Sequence, residues 1–207
     1  MDVAEFTDAV RAESKTELSR LGSSKSLYAD TGGEMDEAPV LAAIADNLHH
    51  ATACFETWAD EAAGPAGDLF ADLAATAGEN YETVADEHGD HDPGEVPAVV
   101  EHLQGLETTI ERVAGIVGWA MVIENKVGQA VGFFVGQASP QTASTFRTVR
   151  GAIEDAIDDG AETLAAVCEA DSDWDRAQDA AVDTIEAAYD EYFETLENLG
   201  VNPKPVC

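Results

Sequence analysis

An all-α fold is predicted by three observations. Apolar residues recur at helical spacing along almost the whole chain, no stretch alternates in the manner of a strand, and breaks such as Gly32-Gly33, Gly64-Pro65 and Ser139-Pro140 separate the periodic segments. The expected architecture is about six helical segments, four or five of them long enough to span a bundle, with short loops favouring antiparallel neighbours. Residues 1–200 read as a single domain and 201–207 as a C-terminal tail.

The first helix is expected over residues 2–28, with Asp2 as N-cap and Phe6, Val10, Leu21 and Tyr28 on one face. Glu17 lies near the centre of that face. DTGGEMDEAP is a turn, and Asp36 or Glu37 opens a second helix that runs to about Ala63. It points Val40, Ile44, Leu48, Ala51, Phe55 and Trp58 inward and carries His49 on the flank. Gly64-Pro65 breaks the chain. The third helix, about Ala66 to His88, buries Leu69, Phe70, Leu73, Ala77, Tyr81 and Val84 together with Asn80. The segment DEHGDHDPGEVP then reads as a solvated linker, although His88, Asp90, His91 and Asp92 have cation-chelating chemistry.

From Ala98 the helical period resumes and passes into the longest apolar run, Val113 to Gly136, with Gly115 and Gly118 as points where the helix bends or parts. At about 100° per residue, Val113, Val117, Ala120, Val127, Val131 and Val135 share a face with Glu124 near its middle. The run is not a membrane span, because Glu124, Asn125, Lys126 and Gln129 interrupt it. Gly128, Gly132 and Gly136 instead suggest close approach of another helix, inside the bundle or across a homodimer. Ser139-Pro140 starts the fifth helix, which ends near Ala170 and carries Arg150 on its inward flank. Asp171 or Ser172 caps the last helix, and the two prolines of GVNPKPVC end it.

The composition limits partners. The 207 residues hold 42 Asp and Glu against 10 Lys and Arg, a formal net charge of −32, while hydrophobic content stays at 45%. An acid excess spread over every segment without loss of apolar periodicity reads as a surface adapted to very high salt, not as disorder. No basic patch indicates a nucleic-acid surface; Arg11, Lys15, Arg20 and Lys25 are interleaved with acids and read as pairing within the first helix. Three scattered cysteines make neither a disulfide framework nor a metal knuckle. The opening MDVAEFTDAV has no signal-peptide hydrophobic region, so the expected location is cytoplasmic.

The inward polar residues Glu17, His49, Asn80, Glu124 and Arg150 carry the chemistry. A buried carboxylate must be neutralised, ion-paired or bound to a metal. Two glutamates and a histidine on three helices are ingredients of a carboxylate-bridged metal site, with Glu17 and Glu124 bridging and His49 terminal. The alternative is that Arg150 supplies the positive charge, through two hydrogen bonds to Glu124 or Glu17.

The stretches TELSRLGSSKSLYADTGGEMD, AMVIENKVGQAVGFFVGQ and NPKPVC resemble the ferritin-like, rubrerythrin-type small all-α proteins of halophilic archaea. The resemblance implies a ferritin-like four-helix bundle with additional helices, and a ligand pattern of Glu, Glu-x-x-His, Glu, Glu-x-x-His on four helices. Glu17 matches the first position and Glu124 the third. Asp46-Asn47-Leu48-His49 is a shortened second motif, with Asp46 expected to point away from the interior. The fourth lacks its histidine, since the fifth helix offers Glu154-Asp155-Ala156-Ile157-Asp158. The implied function is iron or manganese binding in oxidant defence or metal handling, as a metal-dependent oxidoreductase if it is an enzyme. An external electron donor would serve it, because no rubredoxin-type cysteine cluster is present. The alternative implied is a non-catalytic scaffold or regulatory, transcription-related protein acting as a dimer.

Overall fold

The computed structural model describes residues 1–89 and 91–204. Among these, nine α-helices and no strand are found: α1 Val3–Glu13, α2 Lys15–Leu21, α3 Ser24–Asp30, α4 Glu37–Glu61, α5 Gly64–His88, α6 Ala98–Gln104, α7 Thr109–Gly136, α8 Pro140–Val167 and α9 Asp171–Asn198. The five long helices are those expected. The larger total comes from two predicted helices that are divided.

The first is the stretch over residues 2–28. A capping box starts α1, with Glu5 N donating to Asp2 Oδ1 and Asp2 N donating to Glu5 Oε2, both at 2.9 Å. The chain leaves helical geometry at Ser14 and again at Gly22 and Ser23. The second break is held from α7: Gln129 Nε2 donates to Gly22 O at 2.7 Å, and a Cβ on Gly22 would stand 2.5 Å from Asn125 Oδ1. Gln129 of the apolar run thus takes up a backbone carbonyl that the broken helix frees.

The second division comes before α7. The expected parting at Gly115 or Gly118 falls instead between Gln104 and Thr109, where Thr108 and Glu111 form a capping box with Thr108 N donating to Glu111 Oε2 at 2.9 Å. Gly115 and Gly118 lie inside an unbroken helix and serve packing. A Cβ on Gly118 would lie 2.5 Å from Ala181 O of α9, and one on Gly115 would collide with Leu106.

α4 packs on α5, α5 on α8, α8 on α7 and α7 on α4, closing a ring of four helices, while α9 covers the other side of α7. The shorter helices α2, α3 and α6 lie against α9 and α7, and α1 lies against α9 and α8. Every residue from Val113 to Ile123 is buried, so the middle of α7 is enclosed all round. That explains an apolar run with no polar face. The ring's interior is aromatic: Phe55 meets Trp119 edge-on with centroids 5.2 Å apart, and Trp58 lies 5.4 Å from Phe70. No helix among the described residues is long and apolar enough to cross a membrane.

Candidate functional site

Glu124 sits on α7 one residue past the fully enclosed stretch, with its side chain 20% exposed. Its carboxylate is met by a cation from α8: Arg150 Nη2 donates to Glu124 Oε1 at 2.7 Å. This is one hydrogen bond where two were expected. The Arg150 Nε stands 3.3 Å from Glu154 Oε1, near enough for charge attraction but outside hydrogen-bond geometry. The bond to Glu124 raises the Arg150 pKa, against the opposing effect of burial.

Glu17 is in the first turn of α2 and partly exposed. His49, on α4, packs its ring 5.0 Å from both Tyr81 and His50. Burial, then the neighbouring His50 and His91, hold its pKa below the ordinary histidine value, with Asp46 opposing. Among the described residues no three His, Cys, Asp or Glu side chains converge into a group able to hold a metal ion. Glu17, His49 and Glu124 are therefore not gathered as a three-ligand set.

The interior of the four-helix ring has the opposite polarity to a cation site. A small cavity of about 10 Å³ is lined by Phe55, Leu73, Asn80, Trp119 and Ile153, among others. The two polar atoms left without partners there, Asn80 Nδ2 and Trp119 Nε1, are both hydrogen-bond donors. Neither atom offers a lone pair to a cation.

The most enclosed charge among the described residues was not among the sequence candidates. Lys126 on α7 is 4% exposed and donates to Asp30 Oδ1 on α3 at 2.7 Å. Burial lowers its pKa, but Asp30 and Glu191 outweigh that and hold it above the ordinary lysine value. The available sequence signal was Lys126 itself, two residues from Glu124 in the apolar run; what hid it was that its partner lies 96 residues away.

The segment before α6 corrects a second expectation. The His91 side chain is only 2% exposed, and its Nε2 donates to Asp46 Oδ1 at 3.0 Å. The other ring nitrogen, Nδ1, lies 3.4 Å from Tyr81 Oη. Gly94 N also donates to Asp46 Oδ1, at 2.9 Å, and Gly94 O lies 3.1 Å from His50 Nε2. Asp46, expected to point away from the interior, anchors this segment at His91 and Gly94, while Asp92, Gly94 and Glu95 stay exposed. Asp90, one of the four candidate chelators, lies outside the described residues.

Two of the basic residues of the first helical stretch, Arg20 and Lys25, also behave differently. Lys25 Nζ donates to Asn202 O at 2.8 Å and Lys204 O at 3.2 Å, and Arg20 Nη1 reaches Pro203 O at 3.5 Å. Instead of pairing within their own helix, they fasten residues 202–204 against α2 and α3. Residues 205–207 of the NPKPVC stretch lie outside the described residues.

Comparison with known proteins finds no family model, no curated protein and no solved structure that matches this chain.

Proposed function

We propose that this chain is a non-catalytic scaffold or regulatory protein: a ferritin-like antiparallel bundle, cytoplasmic and adapted to very high salt, in which Arg150 supplies the positive charge that a metal would otherwise bring to Glu124. The observation that carries this reading is the 2.7 Å contact between Arg150 Nη2 and Glu124 Oε1. A guanidinium already bonded to the carboxylate competes with any cation for the same lone pairs. The alternative reading, iron or manganese held by Glu17, His49 and Glu124 for oxidant defence, requires Arg150 to leave Glu124.

The test is metal analysis of protein purified in molar salt and loaded with iron and manganese. The proposal expects less than stoichiometric metal in the wild type and no change in Glu124→Ala. Stoichiometric metal that disappears in Glu124→Ala overturns it in favour of the alternative.

The scaffold works as a homodimer through the outer end of α7. Gly132 and Gly136 are exposed, a Cβ on either would meet nothing within 4 Å, and Val135 beside them is 55% exposed. The glycine ridge therefore finds no helix inside the molecule at these two positions, which leaves it open to a second copy. Light scattering in molar salt should report a dimer for the wild type and a monomer for Gly132→Leu with its helicity retained. A monomeric wild type, or a dimer indifferent to Gly132→Leu, rules this face out.

A further inference from the structure

Four of the chain's five histidines meet in one place. Ring contacts run without a gap from His50 to His49, with centroids 5.0 Å apart, then to Tyr81 at 5.0 Å, His91 at 5.7 Å and His88 at 5.4 Å. The rings come from α4, α5 and the connector between α5 and α6; the fifth histidine, His102, is on α6.

The same cluster holds the connector in place. Asp46 Oδ1 accepts from His91 Nε2 at 3.0 Å and from Gly94 N at 2.9 Å, and His50 Nε2 lies 3.1 Å from Gly94 O. Further along, Glu95, Val96 and Pro97 of the connector line a cavity of about 240 Å³ together with Asp30, Asp46, Lys126 and Glu191. Residues 91–97 are thus a strap that forms one wall of that cavity.

Protons act unevenly on this arrangement. His50 and His91 each face an acceptor that a protonated ring can keep, the Gly94 carbonyl and the Asp46 carboxylate. His49 packs against rings and makes no hydrogen bond among the described residues. Burial opposes a charge on it most, followed by His50 and His91; Asp46 favours one, but its Oδ1 is already shared by two donors. The remaining groups around the cluster are Tyr81 and His88 of α5, the exposed Asp92 and Glu95 of the connector, and Asp30, Lys126 and Glu191 in the cavity that Asp46 lines. Among the described residues no three of these His, Asp and Glu side chains converge on a point able to hold a metal ion. Freed into water, the His49 ring takes its proton at the ordinary value of 6.5. The open state therefore binds the extra proton between the lowered closed-state value and 6.5, so the closed strap is fully favoured above pH 6.5 and loses ground as pH falls below it.

We propose that these rings form an acid-operated latch, in which a proton on His49 parts the strap of residues 91–97 from Asp46 and opens the cavity beside it. The latch depends neither on the Glu124–Arg150 pair nor on the dimer face.

The test is amide hydrogen exchange read by NMR on the full chain in molar KCl with EDTA, from pH 7.5 to pH 5, each rate divided by that of an unfolded chain at the same pH. Protection of the Gly94 amide, which donates to Asp46, should fall by about three- to tenfold as pH drops through 6.5, since one extra proton in the open state gives at most about tenfold per pH unit. Protection of Val117, in the enclosed middle of α7, should hold. His49→Gln should abolish the fall at Gly94, and His102→Gln should keep it. Circular dichroism checks that His49→Gln folds; should it not, Asp46→Ala decides, with Gly94 protection already low at pH 7.5 and no further fall expected. The proposal is overturned by Gly94 protection that is flat or rises on acidification, by a fall that persists in His49→Gln, by wild-type protection in Asp46→Ala, or by a parallel loss at Val117, which would mean global unfolding.

Discussion

Replacing Asp30 by Asn tests the Lys126 pair, because it removes the negative charge at nearly constant volume and leaves the ammonium enclosed. Breaking a buried pair from one side typically costs about 3–5 kcal/mol, since the remaining charge is uncompensated. Glu191 also faces Lys126 and offsets part of that loss, which places the expectation near the lower end, about 3 kcal/mol. Urea unfolding in molar KCl measures it by linear extrapolation. In a chain of this size the same loss lowers Tm by about 6–12 °C.

The pH dependence gives a second, independent signature. In the wild type the Lys126 pKa is raised above its ordinary 10.5, so its contribution to stability is complete below pH 10.5 and is lost as pH climbs through the folded-state value. In Asp30→Asn burial prevails, the folded-state pKa falls below 10.5, and between that value and 10.5 the unfolded chain binds the extra proton, so stability should rise with pH across that window. The paired replacement Asp30→Leu with Lys126→Met should be near neutral, since a well-packed apolar pair of similar volume often matches an ion pair. A loss below about 1 kcal/mol in Asp30→Asn, the value typical of an exposed pair, or an unchanged direction of pH dependence, would refute the view that Lys126 is buried and charged.

Three further outcomes follow from the packing. Gly118→Ala should destabilise by about 1–3 kcal/mol through overpacking, because its Cβ would stand 2.5 Å from the Ala181 carbonyl; Gly132→Ala, with open space around it, should stabilise the isolated chain by up to about 1 kcal/mol through helix propensity. Urea unfolding of both reads the contrast, and equal effects would contradict the close approach of α7 and α9. Asn80→Leu removes an unpartnered buried donor from the aromatic centre and should leave stability unchanged or raise it by about 1 kcal/mol; a clear loss would mean that Asn80 Nδ2 has a bonding partner. Burial pushes the Cys54 thiol up to about 12, with Arg112 opposing, so a thiol-specific disulfide reagent at pH 8 should modify Cys54 only after urea unfolds the chain.

The sequence by itself determined the helical class and the five long helices, because helical periodicity and the breaks at Gly and Pro are local properties. It also marked Glu124 as a carboxylate needing a positive neighbour, with a metal or Arg150 to supply it, since both residues are legible from the faces of single helices. The division before α7 was legible too: Thr108-x-x-Glu111 is a capping signature, overridden in reading by apolar residues that continue the period on either side. What only the tertiary structure decided were meetings between residues far apart in the chain. Lys126 with Asp30, Asp46 with His91, and Lys25 with the carbonyls of Asn202 and Lys204 span 96, 45, 177 and 179 residues. A helix face reports that a side chain points inward, but not which group meets it there. That depends on the rotation and axial offset of one packed helix against another, set by close contacts such as Gly118 against Ala181.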